Sequence, residues 1–505
     1  MMLSPKLVSA EQFLELREHF ARTGFNEKAI RERLEVNPKR ELELPGLSSR
    51  PPARKQIADG LDAVIHLFVA GAPISEGDAR AHVPERVWET LKEAGLVARY
   101  EKGENLWAAT VALYPIRELF IASDRWSNPD HSLGGMFPDI VYPALTKSAK
   151  QFLNYTSFEP CEDFLELCAG SAPAALLAAR EAKRVWATDI AERSLEFAKF
   201  NAALNGIENV TFGLGDMFEP VRGRKFDRIA AHPPYVPVLK PTEIFYGGGE
   251  VGEDLTRKVI EGLPEALKPG GRLYCRTLGT ERPRQSFESR IRGWLGEKEK
   301  EFDVGLFVLQ NLEPRQFALE ETLNRNGGKE EFAQWEKMFT RNVVNEMVIG
   351  VVVIQRVERK RRAFTLRRTI GSGTTVKTLD WAMNWEREMQ EEGALQNLLS
   401  ARPIATPGIE ILVRHVLEEG EIAPKNFTLS IEAPFATDCK VQPWMVMLLP
   451  KCDGKTSVAE LFEAAKQNEW IVPETPAEEF ARLLATLISG GFLQTEAFRL
   501  PAAAG

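Results

Sequence analysis

The middle of the chain sets acids, small residues and one histidine at intervals that could hold a ligand and work on it. The apolar run Phe164-Leu165-Glu166-Leu167 leads into the small-residue stretch Cys168-Ala169-Gly170-Ser171-Ala172. A turn of such residues lets the backbone close on a ligand at a helix N-terminus. About twenty residues on, Val185-Trp186-Ala187-Thr188 ends in Asp189, whose two carboxylate oxygens can accept from both hydroxyls of a ribose. Asp216-Met217 comes next, and His232-Pro233-Pro234-Tyr235 follows the apolar run 226–231. A neutral imidazole accepts one hydrogen bond through one nitrogen. It also suits a general base near neutral pH, for a hydroxyl, thiol or amine. Two prolines stiffen the loop that carries it.

Such residues need a scaffold that brings strand ends to one edge. Strand signals at 164–167, 185–188, 210–212, 226–231 and 272–276 alternate with helix signals at 174–180, 191–205 and 254–267. Ala191, Leu195, Ala198 and Ala202 recur at helical spacing, and Gly206 suits the residue just past the helix end. The alternation predicts an α/β domain over 139–358 with a parallel sheet covered on both faces. Apolar runs 302–309 and 347–354 would close it as an antiparallel hairpin.

At 505 residues the chain is too long for one ordinary core. With 44% hydrophobic and 27% charged residues it has the composition of a soluble globular protein. No apolar run approaches a membrane span, and no secretory leader is recognisable, so no membrane partner is expected. Five scattered cysteines without a CxxC pair point to reduced thiols in a cytoplasm. A net charge of −8 argues against a surface that coats nucleic acid.

Residues 1–135 read as a helical, winged-helix-like module. Phe13, Leu16 and Phe20 form a helical stripe, 47–54 is a Pro/Arg-rich linker, and 60–70 is an apolar helix. Val87, Trp88 and Leu91 are the buried face of helix 85–93, and a hairpin over 96–111 turns at Lys102-Gly103-Glu104. Helix 85–93 offers Glu85, Glu89 and Glu93 against Arg86 and Lys92, which suits phosphates badly. A substrate lid or a homodimer contact is therefore favoured over DNA binding for this module. In the polar loop 123–138 and just beyond, Asp124, Asp130, His131 and Asp139 match no ligand spacing, so no metal is expected. That loop and Tyr142 stand where a lid over the site would sit. The basic stretch 358–368 reads as a solvated linker rather than a nucleic-acid handle. Residues 376–505 form a small helical, winged-helix-like module, with Trp381, Trp385 and Met389 on one helix face and Ser457 capping 458–467.

Taken in order, the residues from Glu166 to Tyr235 resemble the S-adenosylmethionine site of a class I methyltransferase with a Rossmann-like sheet. His232-Pro233-Pro234-Tyr235 resembles the Asn-Pro-Pro-Tyr loop of amino-methyltransferases. Tyr246-Gly247-Gly248-Gly249-Glu250-Val251-Gly252-Glu253 resembles the stretch after that loop in release-factor glutamine methyltransferases. The resemblance covers roughly residues 163–276 and implies S-adenosylmethionine as cofactor. It places Glu166 near the methionine ammonium and Cys168, Ala169 and Gly170 beneath the cofactor. Asp189 and Ile190 come to the ribose, Asp216 and Met217 to the adenine, and His232 reaches the cofactor from the loop. It makes His232, Pro233 and Tyr235 catalytic, and His232, Pro234, Tyr235 and Tyr142 the contacts of the methyl acceptor. In the family, the Asn oxygen and the first proline carbonyl accept the two N–H bonds of a planar amide, and the aromatic stacks on its plane. This chain departs twice. His232 replaces the Asn, and Gly-x-Gly-x-Gly has become Cys168-Ala169-Gly170-Ser171-Ala172, where a positive φ at Cys168 or Ala172 would be strained.

The expectation is a cytoplasmic methyltransferase acting on a nitrogen of a protein or peptide. Methylation of RNA, DNA or a small metabolite, with His232 as general base, is the alternative among enzymes. An inactive methyltransferase-fold scaffold is the alternative outside them. The missing glycines favour that scaffold, and the retained Glu166, Asp189 and Asp216 oppose it.

Overall fold

The computed structural model describes residues 4–37, 40–49, 56–132, 138–240, 246–359, 361–371, 373–418 and 420–501. The chain packs as two compact units, 1–279 with 327–342, and 280–326 with 343–505.

In the first unit the apolar runs of the middle segment become parallel strands, buried on both faces except at the edge strand Val210–Leu214. They are β1 Cys161–Leu167, β2 Ala182–Asp189, β3 Val210–Leu214, β4 Phe226–Ala231 and β5 Leu267–Glu281, side by side as β5-β4-β1-β2-β3. The order reverses between β1 and β4. A crevice opens at such a switch point, beyond the carboxyl ends of the strands. Helices α1 Pro173–Ala178, α2 Glu192–Asn205 and α3 Asp254–Ala266 lie between the strands in sequence. Gly206 ends α2 in the left-handed region, the role its position predicts.

Residues 1–135, expected as a module of their own, share one core with this sheet. Phe13, Leu16 and Phe20 of helix Ala10–Arg22 lie in the same buried cluster as Phe197, Phe200 and Ala230. The Phe13 and Phe200 rings meet edge to face at 5.3 Å. Arg17 Nη1 donates to the carbonyls of Ala203 and Leu204 at 3.2 and 3.0 Å, at the carboxyl end of α2. Asn201 and Asn205 of α2 bond the backbone of strand Leu119–Ser123, at Ala122 and Phe120. A helical stripe looks the same in sequence whether it buries itself in its own module or on a neighbour's helix. Helix Glu85–Glu93 and the antiparallel strands Val97–Arg99 and Leu106–Ala109 occur as expected. The expected linker 47–54 overlaps helix Leu44–Ser48, and its residues 50–54 lie outside the described residues.

In the second unit β6 Phe302–Leu312 and β7 Glu346–Arg356 form the expected antiparallel pair, from Phe302 with Arg356 to Leu312 with Met347, with a register shift between Val308 and Gln310. The basic stretch is not a solvated linker. It carries β8 Thr365–Thr369, parallel to β6, with Phe364 and Leu366 buried. Three of its five arginines are spent on internal pairs: Arg361 on buried Asp303, Arg367 on Glu281 at 2.6 Å, Arg368 on Glu386 at 3.5 Å. A three-stranded antiparallel sheet, Glu410–Glu418, Glu421–Ile431 and Thr437–Val441, fills a stretch where no strands were expected. Helices Val458–Gln467, capped by Ser457, and Ala477–Ser489 follow. Among the described residues no helix is long and apolar enough to cross a membrane.

Candidate active site

The carboxyl ends of β1, β2 and β4 and the turn after β3 converge on a cavity of about 460 Å³, within the range of small-ligand pockets. Glu166, Cys168, Ala169, Gly170, Asp189, Ile190, Asp216, Met217, His232, Pro233, Pro234, Tyr235 and Tyr142 all line it. The sequence reading did not single out Phe152, Ser194 or Lys258, which line it too, as does Tyr246 of the glycine-rich stretch. Pro138, Asp139 and Ile140 complete the wall on the side of Tyr142, where the lid was expected; residues 133–137 of that loop lie outside the described residues.

The turn after β1 keeps the backbone path of a glycine-rich turn without its glycines. Cys168, Gly170 and Ala172 have φ of 53°, 55° and 60°. A non-glycine residue in that region carries about 1–2 kcal/mol of strain. A Cβ built on Gly170 would meet nothing within 4 Å, so the space in front of this residue is a cradle. Pro173 opens α1, and Glu166 accepts from the N–H groups of Ala174 and Ala175 at 3.3 and 2.6 Å. Burial pushes the Glu166 carboxyl up to about 8 against the pull of those two bonds. Asp189 accepts from the N–H groups of Gly170 to Oδ2 at 2.8 Å and Ala191 to Oδ1 at 2.9 Å, while burial raises its pKa. Asp216 pairs with Lys258 Nζ at 2.9 Å. The Cys168 thiol, pushed up by burial, points at Met217 Sδ, 3.8 Å away.

At the other end, His232 stands in a row of rings. It stacks on Phe152 at 5.2 Å and on Tyr235 at 5.6 Å, both with interplanar angles of 28°. Among the described residues neither ring nitrogen has a hydrogen-bond partner. Burial, and then the Arg276 charge, hold its pKa down at about 3, so the ring is neutral. The glycine-rich stretch closes on this loop. Gly248 N–H donates to the Val236 carbonyl at 2.9 Å, and Val238 N–H to the Gly249 carbonyl at 3.1 Å. A side chain at Gly248 would meet the Tyr235 Cα at 2.7 Å, and one at Gly252, whose φ is 79°, would strike the Tyr235 carbonyl. These glycines let two backbones touch.

A family described as "Methyltransferase domain" matches residues 160–326. This segment is a methyltransferase domain. Ribosomal protein uL3 glutamine methyltransferase of Bradyrhizobium diazoefficiens is 34% identical over 157 residues, covering 28% of this chain and 49% of that protein. Release factor glutamine methyltransferase of Thermodesulfovibrio yellowstonii is 36% identical over 124 residues, covering 22% and 44%. The enzyme of that name from Xylella fastidiosa is 31% identical over 147 residues, covering 27% and 53%. The chain thus spans about half the length of the curated relatives it matches. The methyltransferase domain is of the S-adenosylmethionine-dependent kind, and its cavity fits that donor. Asp189 at the end of β2 suits a diol, the cradle at Gly170 admits close approach, and a cationic ligand would draw back down the Glu166 pKa that burial raises to about 8. Asp124, doubted as a metal ligand from the sequence, forms a buried pair with Arg193 at 2.5 Å. Among the described residues no cluster of acids, cysteines and histidines could hold a metal.

Proposed function

We propose that this chain transfers a methyl group from S-adenosylmethionine to a nitrogen of a protein or peptide held at His232-Pro233-Pro234-Tyr235. The observation that carries the reading is that this loop and the carboxylates Glu166, Asp189 and Asp216 line one cavity. The relatives named as glutamine methyltransferases make a side-chain amide the favoured acceptor group.

The donor, when bound, supplies an electrophilic methyl on a sulfonium. The chain supplies position and charge. Asp189, oriented by Gly170 and Ala191, would accept from the ribose hydroxyls, and Glu166 would lie towards the ammonium. Met217 would pack on the adenine, and Asp216 would accept from its amino group. The Pro233 carbonyl and a neutral nitrogen of His232 accept the acceptor's N–H bonds, and Tyr235 stacks on its plane. The N–CH3 bond forms as the S–CH3 bond breaks, the thioether departs as leaving group, and the acceptor nitrogen, made acidic by methylation, then gives its proton to solvent; alignment does most of the work in such a displacement. A base whose conjugate acid has a pKa of about 3 takes up protons weakly. His232 is therefore read as a hydrogen-bond acceptor, which favours an amide over the hydroxyl or thiol acceptors of the general-base alternative. The five cysteines, all free thiols, support a reducing cytoplasmic setting.

Incubation with methyl-labelled S-adenosylmethionine and separate protein, RNA and metabolite fractions tests the reading. Label is expected in the protein fraction, and its loss is expected for Asp189→Ala. Label confined to RNA or metabolites would overturn the acceptor class, and no label in any fraction would favour the scaffold.

A further inference from the structure

Arg276 of β5 is 5% exposed, and among the described residues no carboxylate pairs with it. Nη2 donates to Gln151 Oε1 at 3.1 Å, Nη1 to the neighbouring Thr277 carbonyl at 3.3 Å, and the buried Nε has no acceptor. Its Cζ lies over the Tyr235 ring, 5.3 Å from the centroid. A buried charge without a counter-charge is costly, and a fold gains nothing in stability by keeping one. What Arg276 does have is a circuit of contacts. Gln151 sits on helix Lys147–Asn154 beside Phe152, Phe152 stacks on His232, His232 on Tyr235, and Tyr235 lies under Arg276. The circuit joins that helix, the acceptor loop and β5.

We propose that Arg276 is a positioning residue for the methyl acceptor: it holds Tyr235 by its cation–π contact and Helix 147–154 through Gln151, and so fixes the His232–Tyr235 row that faces the cavity. A desolvated cation–π contact is strong enough to orient a ring. This rests on the function proposed above, and deepens it at one residue that does not itself line the cavity.

The test uses the full chain labelled at histidine Cε1, with Arg276→Met, Arg276→Lys and Gln151→Leu. Of the six histidines, His232 is assigned by its loss in His232→Gln. Wild-type His232 should resonate where two stacked rings place it. Arg276→Met should move that resonance towards an exposed histidine, Arg276→Lys should return it part of the way, and Gln151→Leu should shift it in the same direction. The melting temperature of Arg276→Met should not fall, since an unpaired buried charge has been removed. With acetyl-glutaminyl-glycinamide as probe acceptor, kcat/KM should drop by about 10²-fold in Arg276→Met, the scale of a small misplacement. Affinity for S-adenosylhomocysteine should stay within about twofold, because the adenosine end is untouched. An unmoved His232 resonance in both Arg276→Met and Gln151→Leu would overturn the proposal, as would a melting-temperature loss with wild-type transfer. If Arg276→Met shifts the resonance but the wild type transfers to no amide, the proposed acceptor fails while the positioning role stands.

Discussion

His232 is a histidine whose surroundings have removed its ordinary titration. Phe152 and Tyr235 enclose the ring, burial comes first among the causes, the Arg276 charge second, and the pKa falls to about 3. The unfolded chain protonates this ring near its ordinary value, roughly 6.5. The share of folding stability tied to it is therefore complete above that value and lost as the pH falls towards about 3. For catalysis the consequence is a transfer rate without a histidine inflection between roughly pH 6 and 8. His232→Asn should hold the rate within about tenfold, since loss of a general base would cost ~10²-fold or more. A pH–rate curve for wild type and variant checks this. An inflection near neutrality that the variant lacks would return His232 to the role of base. The residues of the cavity were legible because their order along the chain mirrors the order of strand ends in a doubly wound sheet. Phe152 and Arg276 were not. They reach the loop from a Thr146-capped helix that the sequence reading passed over and from the middle of a strand, and only the packed structure sets them there.

At the scale of elements, the turn between β1 and α1 shows backbone geometry outlasting its usual residues. Positive φ at Cys168 and Ala172 is the strain the sequence predicted, and the structure accepts it. Ala172→Gly would relieve about 1–2 kcal/mol. It would also give up roughly 0.8 for a buried methyl and about 0.5–1 in chain entropy. The terms nearly cancel, so urea unfolding should move by less than about 1 kcal/mol. Gly170→Ala regains only the chain-entropy term of about 0.5–1 kcal/mol against about 1–2 kcal/mol of strain. It should lose about 1 kcal/mol of stability and weaken donor binding, because the new methyl projects into the cradle. Unchanged stability and affinity in Gly170→Ala would contradict this account of the turn. Strand and helix existence in this segment was readable from periodicity. The sheet over 410–441 was not, because its strand Glu410–Glu418 is exposed or half-buried at every position and has no buried face to mark it.

At the scale of the whole molecule, the first helix belongs to the core of the catalytic unit. Phe13 is 3% exposed, packs on Phe200 of α2 and does not line the cavity. Phe13→Ala should destabilise that unit by about 3–5 kcal/mol, the cost of an emptied aromatic site. Donor affinity measured well below the melting temperature should change little. A loss under about 1 kcal/mol in urea would mean that residues 1–135 fold apart from the sheet after all, as their pattern of helices and a hairpin first suggested. The borders between modules were the least legible feature, because an apolar stripe does not say which neighbour it will cover. The account as a whole rests on the cavity being a donor site, and calorimetry with S-adenosylhomocysteine on wild type and Asp189→Ala tests that most directly. Wild type should bind in the micromolar range, and Asp189→Ala should bind at least about tenfold more weakly, the loss of one hydrogen-bonded carboxylate. No binding by wild type, or equal affinity for both proteins, would contradict it.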